Sequence, residues 1–153
     1  MKKILISACL AGDKVRYDGK DNLSPFLAQL MEHFELIPFC PEVEGGLKTP
    51  RLPSEIHRGR VINSEGKIVT SSFNLGAQKA LNICKYLHID LAILKEDSPS
   101  CGVKRIHNGR FDKGKIAGQG ITAALLRQNN IEVISEEDIP NLLDKFQKKD
   151  ASV

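Results

Sequence analysis

The chain has 153 residues, enough for one domain to bury most of its apolar surface in a single core, so no second domain is required. Hydrophobic residues make up 41% and charged residues 27%, and a formal charge of +3 is too small to argue for a nucleic-acid or membrane partner. The apolar run before Ser7 is too short for a signal peptide or a membrane span, so a cytoplasmic location is expected and the four unevenly spaced cysteines do not read as a disulfide framework.

Residues 2–7 (KKILIS) form a short aliphatic run that predicts a strand covered on both faces, as in a parallel sheet. After a turn-rich stretch over 12–22, Ser24 can cap a helix with Pro25 in its first turn. Phe26, Leu27, Leu30, Met31 and Phe34 follow at helical spacing. Residues 36–39 (LIPF) predict a second strand, ended by Cys40-Pro41. Residues 42–54 hold two glycines and two prolines without a sustained period, which predicts a long surface loop.

Two short apolar runs flank Ser64-Glu65-Gly66 within residues 60–70 and predict a small hairpin. Phe73, Leu75, Ala77, Ala80, Leu81, Ile83, Cys84 and Leu87 mark a helix with a wide apolar stripe. The third strand, residues 90–94 (DLAIL), runs straight into KEDSPSCG at 95–102. Asn108-Gly109 is a strong two-residue turn signal and predicts a second hairpin or flap. Gly118-Gln119-Gly120 leads into a helix over 121–128, and residues 131–134 (IEVI) predict a fourth buried strand. Ser135 with Asp138 has capping-box spacing and opens a last helix through Phe146. Residues 1–147 are expected as one domain and 148–153 as a polar, fraying tail. Four aliphatic strands separated by helices predict a single α/β domain, doubly wound around a mostly parallel sheet.

Cys9 follows the first strand, Cys40 the second, and Cys101 lies seven residues beyond the third. All three are thereby expected at the carboxyl edge of the sheet, where open α/β sheets bind ligands. A free cysteine taken singly is usually a packing residue, and Cys84, inside its apolar stripe, is read as core. Three thiolates on one edge suggest instead a metal centre with an open position. Closed structural zinc takes four nitrogen or sulfur ligands, often from a C-x-x-C pair that this chain lacks. A histidine could complete such a set: His57 and His107 sit in expected loops, whereas His33 and His88 fall near helix ends and read as surface residues. An iron–sulfur cluster with one iron left free fits the count of three better.

Several spaced motifs occur in a fixed order. They are Ser7-Ala8-Cys9-Leu10-Ala11-Gly12 with Val15-Arg16-Tyr17-Asp18-Gly19, Cys40-Pro41-Glu42-Val43 with Gly45-Gly46-Leu47 and Thr49-Pro50-Arg51, Ser98-Pro99-Ser100-Cys101-Gly102, and a segment from Gly118 to Ala123. Together they resemble the thiouracil desulfidase family over nearly the whole chain. The resemblance implies a Rossmann-like domain holding a [4Fe-4S] cluster through Cys9, Cys40 and Cys101. It also implies non-redox removal of sulfur from a thiolated pyrimidine such as 2-thiouracil, giving uracil and hydrosulfide by hydrolysis. The expected partner is a small thiolated nucleobase, and nothing in the sequence sets an oligomeric state.

On that reading Glu42, two residues after Cys40, is the candidate general acid/base, its plain alternative being a solvated loop carboxylate. Ser98 ranks above Ser100 as a hydroxyl that bonds substrate or orients water, against ordinary turn chemistry. Gly45, Gly46 and Gly102 are expected to allow close backbone approach to cluster or substrate. Lys48 and Arg51 read mainly as solvated basic residues, and Tyr17 either stacks on a pyrimidine or covers the core. Gly118-Gln119-Gly120 lacks the third glycine and the preceding strand of a dinucleotide site. The rival reading is a non-catalytic module that binds zinc or carries sulfide.

Overall fold

The computed structural model describes residues 1–151, with side chains described through Phe146. In chain order the elements are β1 (Lys2–Ser7), α1 (Leu27–His33), β2 (Phe34–Phe39), α2 (Pro41–Glu44), β3 (Ser54–His57), β4 (Arg60–Asn63), α3 (Thr70–Leu87), β5 (Leu91–Leu94), β6 (Arg105–His107), β7 (Lys115–Ala117), α4 (Ile121–Gln128), β8 (Glu132–Ser135) and α5 (Ile139–Ala151). Among the described residues no helix is long and apolar enough to cross a membrane.

Four strands make a parallel sheet in the order β2-β1-β5-β8. Alternation along β1 explains its two covered faces. Leu5 joins Ala92 and Leu94 of β5 in a core layer with Ala80, Leu81 and Cys84 of α3 and Ala123 and Leu126 of α4. Ile4 and Ile6 join Leu91 and Ile93 on the other face with Leu30 of α1 and Ile139 and Leu143 of α5. The result is the expected α/β fold, with helices on both faces of one sheet.

The winding direction reverses at β1, because β2 lies on one side of it and β5 on the other. The carboxyl ends of β1 and β5 therefore form the switch point at which such sheets leave a crevice.

The differences from expectation are local. β2 starts at Phe34, two residues early, so that it pairs with all of β1 from Lys2↔Phe34 to Ser7↔Phe39. The segment expected as loop from 42 opens with the short helix α2. The hairpin expected around Ser64-Glu65-Gly66 survives only as a turn with an Ile62↔Ile68 bridge, while the full antiparallel partner of β4 is β3. The capping box at Ser135 and Asp138 is present, but it caps a single turn that leads into α5. Helix α5 runs four residues into the stretch expected as a tail, to Ala151, and positions 152–153 lie outside the described residues.

Candidate metal centre at the sheet edge

Each edge cysteine is set by its own local device. After β1 the chain makes one tight turn over residues 8–11, closed by Gly12 in a left-handed conformation (φ 96°). The carbonyl of Cys9 in that turn accepts the Asn22 N–H at 2.9 Å, which folds the returning loop back over the site.

Cys40 is the residue before α2, with Pro41 at the first helical position, where the missing N–H costs nothing. This short helix is seated on α3 by two glycines. A Cβ on Gly76 would lie 1.8 Å from the Pro41 carbonyl oxygen, and one on Gly45 would lie 2.0 Å from that of Ser72. Gly45 thus serves helix packing rather than approach to a ligand.

Cys101 stands in a loop tied from inside. Ser98 Oγ accepts the N–H groups of Ser100 and Cys101, both at 3.0 Å, and the Ser98 carbonyl accepts that of Gly102 at 2.8 Å. Behind them Glu96, 2% exposed, accepts three successive N–H groups, from Val103, Lys104 and Arg105. Gly102 is required because a Cβ there would meet the Arg105 and Ser98 carbonyl oxygens at 2.5 and 2.7 Å. The start of α4 closes onto the same loop: the N–H groups of Ile121 and Thr122 donate to the Pro99 and Ser100 carbonyls, both at 2.9 Å. Those donors are spent, so the glycines before α4 make no phosphate site. Gly120 is there because Ser100 lies within 2.4 Å of where its Cβ would be.

Cys9, Cys40 and Cys101 all line one cavity of about 460 Å³, together with Glu42 and Ser98. Cys84 lies in the core on α3, where burial pushes its thiol up to about 11. Ser100 is fully buried and bonded to Thr122 at 2.9 Å, so Ser98 is the serine of this loop that reaches the cavity. His107 lines the cavity as well. His57 faces a separate surface hollow, and His33 packs on Phe34 and Phe146, which removes both from the candidate ligands.

The electrostatics fit a cationic guest. Burial raises all three thiols, most strongly Cys101. It is opposed by the Asn22 side chain at Cys9, by the Val43 N–H at Cys40 and by the Ser7 side chain at Cys101. Cys9 and Cys101 are raised further by their repulsion with Cys40. Three desolvated, mutually repelling sulfurs stay protonated unless a metal supplies the positive charge. Yet among the described residues no three His, Cys, Asp or Glu side chains are gathered closely enough for one ion. Three cysteine sulfurs on one cavity are the soft donor set that an iron–sulfur cluster takes, and these three would hold it.

Glu42 is mostly enclosed, and its Oε1 lies 3.4 Å from Arg51 Nε. Burial raises its carboxyl, while the Arg51 guanidinium pulls the other way. Arg51 is no solvated residue: its side chain is 8% exposed and also donates to the carbonyls of Val15 (2.8 Å) and Lys48 (3.3 Å) and to Thr49 Oγ1 (3.0 Å). It therefore ties Glu42 to the loop at Val15 and to its own loop at Lys48 and Thr49.

Sequence reasoning passed over Glu96, Ser7 and Asn22. Glu96 had a visible signal, a carboxylate placed between an apolar strand and a tight loop; Ser7 and Asn22 had none, because their partners are far along the chain.

The model of the family described as 2-thiouracil desulfurase matches residues 4–138. A Bacillus subtilis (strain 168) protein, "Uncharacterized protein YbbK", is 42% identical, over 92% of this chain and 99% of its own. A solved structure described as a "[4Fe-4S]-dependent thiouracil desulfidase TudS" superposes with a TM-score of 0.89 at 46% identity, covering 96% of this chain and 99% of that one.

Proposed function

Because the chain belongs to the 2-thiouracil desulfurase family, we propose that it is an iron–sulfur-dependent desulfidase that converts a thiolated pyrimidine such as 2-thiouracil to uracil and hydrosulfide. The observation that carries this reading is the meeting of Cys9, Cys40 and Cys101 on one cavity without a fourth cysteine. These three would hold the [4Fe-4S] cluster. When bound, the cluster supplies a thiophilic Lewis acid at the iron that no cysteine occupies.

The remaining chemistry belongs to the chain. Water adds its oxygen to the thiocarbonyl carbon, the C–S bond breaks, and sulfur departs as hydrosulfide with no electron exchanged. With Oε1 of Glu42 engaged by Arg51, Oε2 is the atom to which we assign the proton transfers to and from water and substrate. Ser98 Oγ already accepts two backbone N–H groups, which leaves its O–H free to donate to the substrate. The size of the cavity and the small net charge support a free nucleobase rather than a nucleic acid as substrate. Free thiols that must stay reduced support a cytoplasmic location.

Protein prepared without oxygen is expected to be brown, to contain about four iron and four acid-labile sulfide per chain, and to release sulfide from 2-thiouracil. A colourless, folded protein that still performed the reaction would remove the cluster from the mechanism, and a fully loaded protein releasing no sulfide would remove the activity.

A further inference from the structure

The tip joining β6 to β7 is a braced loop over residues 108–114, not a two-residue turn. Asn108 Nδ2 donates to Asp112 Oδ1 at 2.7 Å, Asn108 Oδ1 accepts the Arg110 N–H at 2.9 Å, and Asp112 Oδ1 accepts the Gly114 N–H at 2.8 Å. From β3 the buried carboxylate of Glu55 reaches in and accepts the N–H groups of Gly109 at 2.9 Å and Phe111 at 3.3 Å. Gly109 is pressed onto β3 so closely that a Cβ would stand 2.5 Å from the Ile56 carbonyl oxygen. Through these bonds Phe111 is held in a left-handed backbone conformation (φ 55°), which a bulky side chain adopts only under constraint.

Core packing does not account for that constraint. Phe111 belongs to none of the three apolar clusters among the described residues, yet it lines the same cavity as Cys9, Cys40 and Cys101. We infer that Phe111 is the aromatic platform on which the substrate's pyrimidine ring stacks, and that Glu55 is the positioning residue that fixes it there; the inference rests on the desulfidase reading above. A planar base presents its π face to such a ring and keeps its edges free, which leaves the thiocarbonyl sulfur able to meet the reacting groups. Tyr17, the aromatic residue that the sequence offered for stacking, lines the cavity too, but it is 44% exposed and lacks a comparable carboxylate lock.

Stacking of this kind contributes to binding of substrate and transition state alike, so it governs KM rather than kcat. Phe111→Leu keeps apolar bulk and loses the π face, whereas Phe111→Tyr keeps the face. In loaded proteins of equal iron content, Phe111→Leu is expected to raise KM for 2-thiouracil about tenfold with kcat nearly unchanged, and to weaken uracil binding in calorimetry by a similar factor. Phe111→Tyr restores both. Glu55→Gln, which weakens the lock but keeps its shape, raises KM by a smaller factor in the same direction. An unchanged KM and uracil affinity in Phe111→Leu overturns the platform while leaving the desulfidase reading intact. Loaded wild-type protein that releases no sulfide, but binds uracil in a Phe111-dependent way, overturns the desulfidase reading and keeps the platform.

Discussion

Glu96 Oε1 accepts the backbone N–H of Val103 at 2.7 Å, and the same oxygen takes those of Lys104 at 2.8 Å and Arg105 at 2.9 Å. One buried carboxylate thus closes the loop that presents Cys101. Bonds to a charged acceptor contribute about 1.5–3 kcal/mol each, and three sharing one atom contribute less than their sum. Glu96→Ala is expected to cost roughly 3–5 kcal/mol in urea unfolding of the iron-free protein and to lower its capacity for iron, with Glu96→Gln between it and wild type. Wild-type stability in Glu96→Ala would show that the loop is held by its other bonds.

Acid should find the same region. Burial works against the charge of Glu96, Asp97 and Asp138 but is outweighed at each. The donors are the Arg105, Lys104 and Val103 N–H groups at Glu96, Lys115 and Arg105 at Asp97, and the Ser135 N–H and Lys104 at Asp138. All three carboxyls are held below the ordinary range, so the unfolded chain takes up protons first. Their stabilisation is complete above the unfolded pKa of about 4 and is lost as pH falls through the lower folded values. The urea midpoint of iron-free protein should therefore drop below about pH 4, with a shallower drop in Glu96→Gln. A midpoint that rises on acidification below about pH 4 contradicts this sign.

The sheet and its cysteine-bearing edge were legible because buried parallel strands write themselves as continuous aliphatic runs, and β1 and β5 are such runs. What stayed hidden depends on partners far along the chain. Asn108-Gly109 reads as a tight turn, but Glu55, 54 residues earlier in sequence, takes the Gly109 N–H and opens the turn into a longer loop. Arg51 reads as a solvated cation, but its partners at Val15 and Glu42 come together only in the fold. Helix α2 spans four residues, too few to leave a period.

The cysteines divide into two groups by position. Cys9→Ala, Cys40→Ala and Cys101→Ala are each expected to abolish stoichiometric iron and sulfide. Cys84→Ala should keep both and lose about 1–2 kcal/mol of stability from the α3 core. Full cluster content in any of the first three variants would remove that residue from the ligand set.

Glu42 should separate chemistry from assembly. Glu42→Gln preserves an oxygen for the Arg51 contact and removes the transferable proton, so kcat is expected to fall by about 10²–10⁴ while iron content and uracil binding persist. Equal turnover in the variant assigns the proton transfers elsewhere.

Gly76 sets two tendencies against each other. In the interior of α3 a Gly→Ala exchange ordinarily stabilises by about 1 kcal/mol. Here the new Cβ would stand 1.8 Å from the Pro41 carbonyl oxygen, an atom of the backbone that a rotamer change cannot move aside. Overpacking of that kind costs about 1–3 kcal/mol or more, so the clash outweighs the propensity. Helix α2 must then lift off α3, and it carries Glu42 while Cys40 precedes it by one residue. Gly76→Ala should therefore lower the thermal midpoint of the iron-free protein and reduce bound iron, although the substitution lies on a helix that provides none of the three edge cysteines. A variant with a raised midpoint and full iron would mean that the contact between the two helices does not hold Cys40 and Glu42 in place.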